Sequence, residues 1–304
     1  MGYDRQPGRA ATWITLLLIA LLAGCQPSAT SQDNHITIGW TAWDDAEFVS
    51  RLAKTLIESH TDYEVDLELA SIGKQYDSVA DGSMDVMMMA WLPDTHARYW
   101  GRVKDRVVDL GTLYDNARLG WAVPDYVPAG ELSSIADMTK PGVQARLGGR
   151  IEGIDPGAGL MDLSRETVAA YGLGQDYRLT TGNDASRTQA LAEAVAAQRW
   201  VVVTAWTPHW IFARYHLRLL DDPKHALGKS QRVDVVARQG FSNDYPRVAG
   251  ALSRMHIPLD ILQTAMLDAQ ERSYPQAIQR FTQDHAALIH RWFDERPGRS
   301  NPAQ

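Results

Sequence analysis

Residues 86–93 read Val86-Met87-Met88-Met89-Ala90-Trp91-Leu92-Pro93. Five apolar residues in a row, preceded by Asp85 and followed by a Trp-Leu-Pro turn, fit a short strand buried on both faces. A large aromatic side chain then stands at the carboxyl end of that strand. Residues 200–208 (WVVVTAWTP) repeat the arrangement, with Ala205-Trp206-Thr207-Pro208 in place of Ala90-Trp91-Leu92-Pro93. Trp91 and Trp206 lie 115 positions apart, as do Ile36 and Ile151, which sit in two further strand-like segments. Ala97-Arg98-Tyr99 has a looser echo in Ala213-Arg214-Tyr215. A single repeat of this length points to two related lobes, because solenoid periods are much shorter.

Working outward, strands alternate with helices. His35–Ile38 and Val65–Leu69 read as strands, and apolar residues recur at helical spacing between Asp44 and Ser59. A short helix over 75–81 ends at Gly82, and helices follow near 160–171 and 186–198. The last fifty residues read as helices over 247–255, 259–271 and 275–293, with Pro258 and Pro275 near their starts. The fold class is therefore α/β. Strands at 119–123 and 233–237 read as crossings between lobes. That divides the chain into lobe 1, residues 35–118 with 240–295, and lobe 2, residues 124–232.

The first 25 residues tell a separate story. Arg5 and Arg9 precede a short apolar run at 14–22, then Leu22-Ala23-Gly24-Cys25. A basic start, a short apolar stretch and small residues before a cut site make a secretory signal segment over 1–24. The run is too short to span a membrane. Cys25 after Leu-Ala-Gly resembles the bacterial lipobox, which implies cleavage before Cys25 and acylation of its thiol. The polar stretch to residue 34 reads as a tether. Cys25 is the only cysteine, so no disulfide is expected in the mature chain. The expected location is extracytoplasmic, in the periplasm or at the cell surface. With 304 residues and a formal net charge of −7, the chain carries no basic run that would argue for nucleic acid.

Trp43, Trp91 and Trp206 each follow a predicted strand, and open α/β sheets bind ligands beyond the carboxyl ends of their strands. Each tryptophan alone reads first as core packing. Together, at equivalent strand ends, they can converge on one cleft. Indole faces suit a quaternary ammonium, which has no N–H to donate and is held by the negative faces of aromatic rings. Residues 153–159 (GIDPGAG) precede a predicted helix. Backbone N–H groups at such a turn, with the helix dipole, favour an anion. The spacing matches neither a dinucleotide fingerprint nor a phosphate-binding loop. His96 lies five residues after Trp91 and reads either as a helix cap or as a donor to a carboxylate. A cation site facing an anion site has the shape of a betaine.

These residues resemble a known family. Thr41-Ala42-Trp43-Asp44, residues 90–96 (AWLPDTH), residues 153–159 and residues 205–210 (AWTPHW) look like the glycine betaine/proline betaine substrate-binding proteins of ABC importers. Residues 219–224 (LLDDPK) and 238–241 (RQGF) fit the same pattern. The resemblance implies a two-lobed, hinged periplasmic-binding-protein fold of type II. It implies that Trp43, Trp91 and Trp206 enclose a trimethylammonium group. It also implies that the N–H groups of Gly153 and Ile154, with His96, hold the carboxylate. The implied partners are a small betaine and the membrane subunit of an ABC permease, and the chain is expected to act as a monomer.

An enzyme is the rival class. The sequence holds no His-Glu-x-x-His zinc motif, no Gly-x-Ser-x-Gly elbow and no cysteine nucleophile beyond Cys25. Asp44 and Asp45 read as carboxylates at a helix start. No cofactor and no metal site is expected. A sensor of the same ligand, or a carrier for choline, carnitine, proline betaine or dimethylsulfoniopropionate, stands as the alternative. The absence of a carboxylate from choline counts against it.

Overall fold

The computed structural model describes residues 1–3 and 34–294. The lipobox residues 22–25, the signal segment from residue 4 and the tether to residue 33 lie outside the described residues.

Strand β1 (His35–Trp40) buries Ile36 and Ile38 and runs parallel to β2 (Glu64–Leu69) on one side and β3 (Val86–Leu92) on the other. The parallel pairs require crossovers, which are α1 (Asp44–His60) and α2 (Ile72–Asp81). In α1 the buried residues Phe48, Val49, Leu52, Leu56 and Ile57 make one face of a 3.6-residue period. All seven residues of β3 are buried, as its unbroken apolar run requires.

Strand β9 (Gln231–Arg238) is antiparallel to both its neighbours, β3 and β4 (Val107–Pro124). With β7 (Val203–Thr207) and β8 (Leu217–Leu219), the sheet order is β2-β1-β3-β9-β4-β7, and β8 also pairs with β4. Strand β4 is 18 residues long and changes partner along its length. It pairs with β9 as far as Ala117, then with β7 from Arg118 and with β8 from Ala122. A small parallel pair, β5 (Arg150–Ile151) and β6 (Arg178–Leu179), is linked to β7 by a bridge between Glu152 and Val203. The strands thus form two groups that share β4.

Helix α3 (Ala97–Val103) follows β3, while α4 (Pro141–Leu147), α5 (Gly159–Ala170), α6 (Asp184–Ala196) and the short α7 (Ile211–Arg214) accompany the second group. The chain then returns through β9 to the first group. There α9 (Pro246–Arg254) packs on β4, α10 (Leu259–Glu271) on α1 and β4, and α11 (Tyr274–Asp284) on α1, while α8 (Phe241–Asp244) packs on α9 and α12 (Ala286–Phe293) on α9 and α11. The single helix expected over 275–293 is two helices, broken at His285. Strand β9 pairs with β3 and with the first half of β4, Val107–Ala117.

Candidate functional site

Three chain turns at strand ends build one enclosed space. After β1, Trp43 occupies the residue before α1. Trp91 is within β3, and Trp206 is in β7, each followed by a proline whose preceding peptide bond is cis. These three side chains, with His96 and Ile154, line a cavity of about 290 Å³ counted with its open mouth. Thr95, Leu119, Ala158, Gly159 and Leu160 complete the wall. All three indoles are more than nine-tenths buried. The ring centroids of Trp43 and Trp206 are 6.5 Å apart with planes inclined at 60°, so they meet as two sides of a corner. The Trp43 ring lies 6.3 Å from that of His96.

Each indole is fixed from behind. Trp43 donates from Nε1 to Asp155 Oδ2 at 2.9 Å. Trp91 packs edge-on against Tyr114 at 6.3 Å. Trp206 meets the His209 ring edge-on at 4.6 Å, and the Arg187 guanidinium sits 4.7 Å over one of its faces. The Trp206 Nε1 is buried without a hydrogen-bond partner.

His96 is 1% exposed. Its Nδ1 lies 3.1 Å from the backbone N–H of Trp91, a group that can only donate. Nδ1 therefore accepts, and the proton of the neutral ring belongs on Nε2. Burial, with a smaller effect of Arg98, pulls the ring down to about 3, so His96 is a neutral N–H donor at physiological pH. Behind the tryptophans, Asp45 is fully buried and accepts from the Tyr114 hydroxyl at 2.9 Å. Burial pushes its carboxyl up to about 7 against the opposing effect of that bond.

These two groups pull stability in opposite directions with pH. The folded chain excludes a proton from His96 that the unfolded chain binds below its ordinary pKa of about 6.5. That contribution is present above about 6.5 and is lost as pH falls toward about 3. The folded chain holds a proton on Asp45 that the unfolded chain releases above about 4. That contribution is present below about 4 and is lost as pH rises through about 7. Each slope is at most about 1.4 kcal/mol per pH unit, and between roughly 4 and 6.5 they oppose one another. Asp45→Asn is expected to leave a protein whose stability rises with pH across that window, and His96→Gln one whose stability falls. Urea unfolding at both ends of the window reads the slopes; parallel profiles for the two variants would contradict the assignment.

The glycine turn divides into two parts. Ile154 lines the cavity, whereas Gly153 is not among the lining residues. The Gly153 N–H donates to Thr180 Oγ1 at 3.3 Å, a long bond, and the Ile154 N–H points at Met161 Sδ, a weak acceptor, at 3.4 Å. A Cβ on Gly153 would lie 2.3 Å from the Thr180 carbonyl oxygen, so close backbone packing excludes a side chain here. Gly159 and Thr95 lie in the segments 153–159 and 90–96 quoted from the sequence, but the sequence assigns neither an individual role, and it assigns none to Leu160 or Leu119. Thr95 and Gly159 come from different strand groups and touch across the cavity: a Cβ on Gly159 would lie 2.2 Å from the Thr95 carbonyl oxygen.

Among the described residues, Asp44, Asp184 and His209 form a group whose ligand atoms lie within 4.8 Å of one another. Arg187 already stands in it, bonded to Asp184 and 2.9 Å from His209 Nε2. Burial pushes Asp184 up, but Arg187 and His209 outweigh it and hold the carboxyl below the usual range. The cationic place in the group is taken by a side chain.

Residues 34–284 match the family model for the substrate-binding domain of ABC-type glycine betaine transport systems. The chain belongs to this family. Its curated relatives include the glycine betaine/carnitine transport binding protein GbuC of Listeria monocytogenes, 31% identical over 146 residues. That match covers 47% of this chain and spans about half, 49%, of the relative's length. Lactococcal OpuAC, solved in a closed, liganded conformation with glycine betaine, superposes with a TM-score of 0.78 at 29% identity. It covers 86% of this chain and 99% of its own. The glycine betaine/L-proline-binding protein ProX of Borrelia burgdorferi, with a TM-score of 0.79 at 24% identity over 86% and 97% of the two chains, shares the fold. The fold of this substrate-binding family is the two-lobed, type II periplasmic-binding-protein architecture expected from the sequence.

Proposed function

We propose that this chain captures a small betaine, glycine betaine first, outside the cytoplasmic membrane and delivers it to an ABC permease for uptake, as in osmoprotection. The observation that carries the reading is the single cavity lined by Trp43, Trp91, Trp206 and the neutral N–H donor His96. A trimethylammonium group cannot hydrogen-bond. It gains about 0.5–2 kcal/mol from each aromatic face that encloses it, more where water is excluded. At the opposite end the betaine carboxylate accepts from His96 Nε2 and from the N–H groups of Gly153 and Ile154. A carboxylate is a stronger acceptor than the hydroxyl and thioether those amides now face. The N-terminus of α5 adds a favourable dipole.

In this reading the two strand groups are the lobes of a clamp, joined within β4 at Ala117–Arg118 and again ahead of Gln231. The ligand docks on one lobe, and closure brings the other onto it. The ligand leaves unaltered, so the protein is not an enzyme. It acts as a monomer tethered by acylated Cys25, which keeps it near the permease.

The test is a calorimetric titration of residues 26–304 with glycine betaine, with carnitine and choline in parallel and tryptophan fluorescence as a second signal. Micromolar binding, about 8 kcal/mol, with choline much weaker is the expected result. Choline binding as tightly as glycine betaine would overturn the carboxylate half of the site. Failure of every onium compound to bind would overturn the reading as a whole.

A further inference from the structure

Asp44 follows Trp43 but does not line the cavity. Its carboxylate instead collects donors from both strand groups. From the first group, Gln270 Nε2 and the Tyr274 hydroxyl donate to Oδ1 at 3.0 and 3.1 Å. From the second, the Trp210 indole N–H donates to Oδ2, and His209 Nε2 stands 3.6 Å away. The backbone N–H of Asp44 donates to Asp184 Oδ2 at 3.3 Å, a further link between the groups. Burial and then the neighbouring Asp184 charge raise the Asp44 carboxyl above its usual range. Two carboxylates side by side in a buried place repel, and the arrangement holds only while the donors of both groups surround them.

We propose that Asp44 is a positioning residue that locks the closed clamp and sets how slowly a bound betaine is released. This rests on the betaine-binding reading above. On opening, the Trp210 and His209 contacts part, and Asp44 returns to water. The lock therefore acts on the closed, occupied state and scarcely on the encounter that precedes it. Most affinity differences within one interface fall on the dissociation rate for the same reason.

The test is stopped-flow tryptophan fluorescence on the chain from residue 26, with glycine betaine as probe. Asp44→Ala is expected to raise the dissociation rate about tenfold or more, with the association rate within about twofold of wild type. Trp210→Phe removes the partner N–H but keeps an aromatic ring, and is expected to raise the dissociation rate similarly. The double variant is expected to be no faster than the faster single one, because both break the same contact. Ligand-free melting temperatures, read alongside, are expected to stay near that of wild type. A merely structural role would lower those temperatures and leave the rates uncoupled. Unchanged dissociation rates, a loss confined to association, or additive effects in the double variant would each overturn the lock while wild type still bound. If wild type bound no betaine, carnitine or choline, the functional reading would fall and the lock with it.

Discussion

Gly159→Ala is expected to weaken betaine binding roughly 100-fold while raising the stability of the ligand-free protein. The two effects come from different places. Gly159 is the first residue of α5, and alanine is the better helix former there and restricts the unfolded chain more. Outside its own helix backbone and chain neighbours, the three heavy atoms nearest to the added methyl group all belong to Thr95. Across the cavity it would lie 2.2 Å from the Thr95 carbonyl oxygen and 2.6 Å from its methyl group. Thr95 cannot easily retreat. Its N–H and its hydroxyl both bond Gln231 Oε1, each at 2.9 Å, which ties the turn to β9. Forcing such an overlap costs about 1–3 kcal/mol, the upper end being about 100-fold in affinity. Calorimetry gives the affinity, and thermal unfolding without ligand gives the stability. Binding within about threefold of wild type would show that Thr95 and Gly159 need not approach for a betaine to be held.

The second large effect belongs to Trp91. Trp91→Ala is expected to weaken betaine binding at least about tenfold, the loss of one enclosing ring at about 1–2 kcal/mol. Because Trp91 is only 3% exposed, alanine would also leave a void costing about 3–5 kcal/mol of folding stability. Trp91→Leu separates the two effects. It refills most of the volume against Tyr114 but offers no π face, so affinity should fall nearly as far while stability largely recovers. A leucine variant that binds as tightly as wild type would mean that shape rather than ring charge holds the cation.

Much of this was legible in the chain. The helix over 259–271 and the strand beginning at Val86 followed from periodicity and from unbroken apolar runs. The strand-end tryptophans were legible because they recur at a fixed offset. The first half of β4 was not. Between Val107 and Ala117 its pairing with β9 slips three times, and Asn116 has a φ of 57°. Bulges destroy the alternation by which a strand is recognised. The Asp44-Asp45 pair was read as a helix start, where adjacent carboxylates usually serve the helix. In the fold, Asp44 bonds Trp210, 166 residues on, and Asp45 bonds Tyr114, 69 residues on. Nothing local in sequence announces such partners. Thr95 and Gly159 stand in quoted motifs, but their contact with each other is not legible for the same reason: it is a distance between two strand groups, and no single segment carries it.

The position of β9 bears on the order in which the molecule can be assembled. Strand β3 can pair with β1 early, but it finds its second partner only when residues 231–238 have emerged, Val86 pairing with Ala237 about 150 residues downstream. Until then β3 and the first half of β4 are neighbours with an empty slot between them, each exposing an unpaired edge. The second group has β4 from Arg118, β7 and β8 in hand before β9 exists. Vectorial synthesis therefore lets the middle of the chain settle while its beginning waits, and the first strand group is completed last, by β9 and the helices that follow it. So distant a pairing is slow to form, and the waiting edges are where a chaperone, or a second nascent chain, has its opportunity.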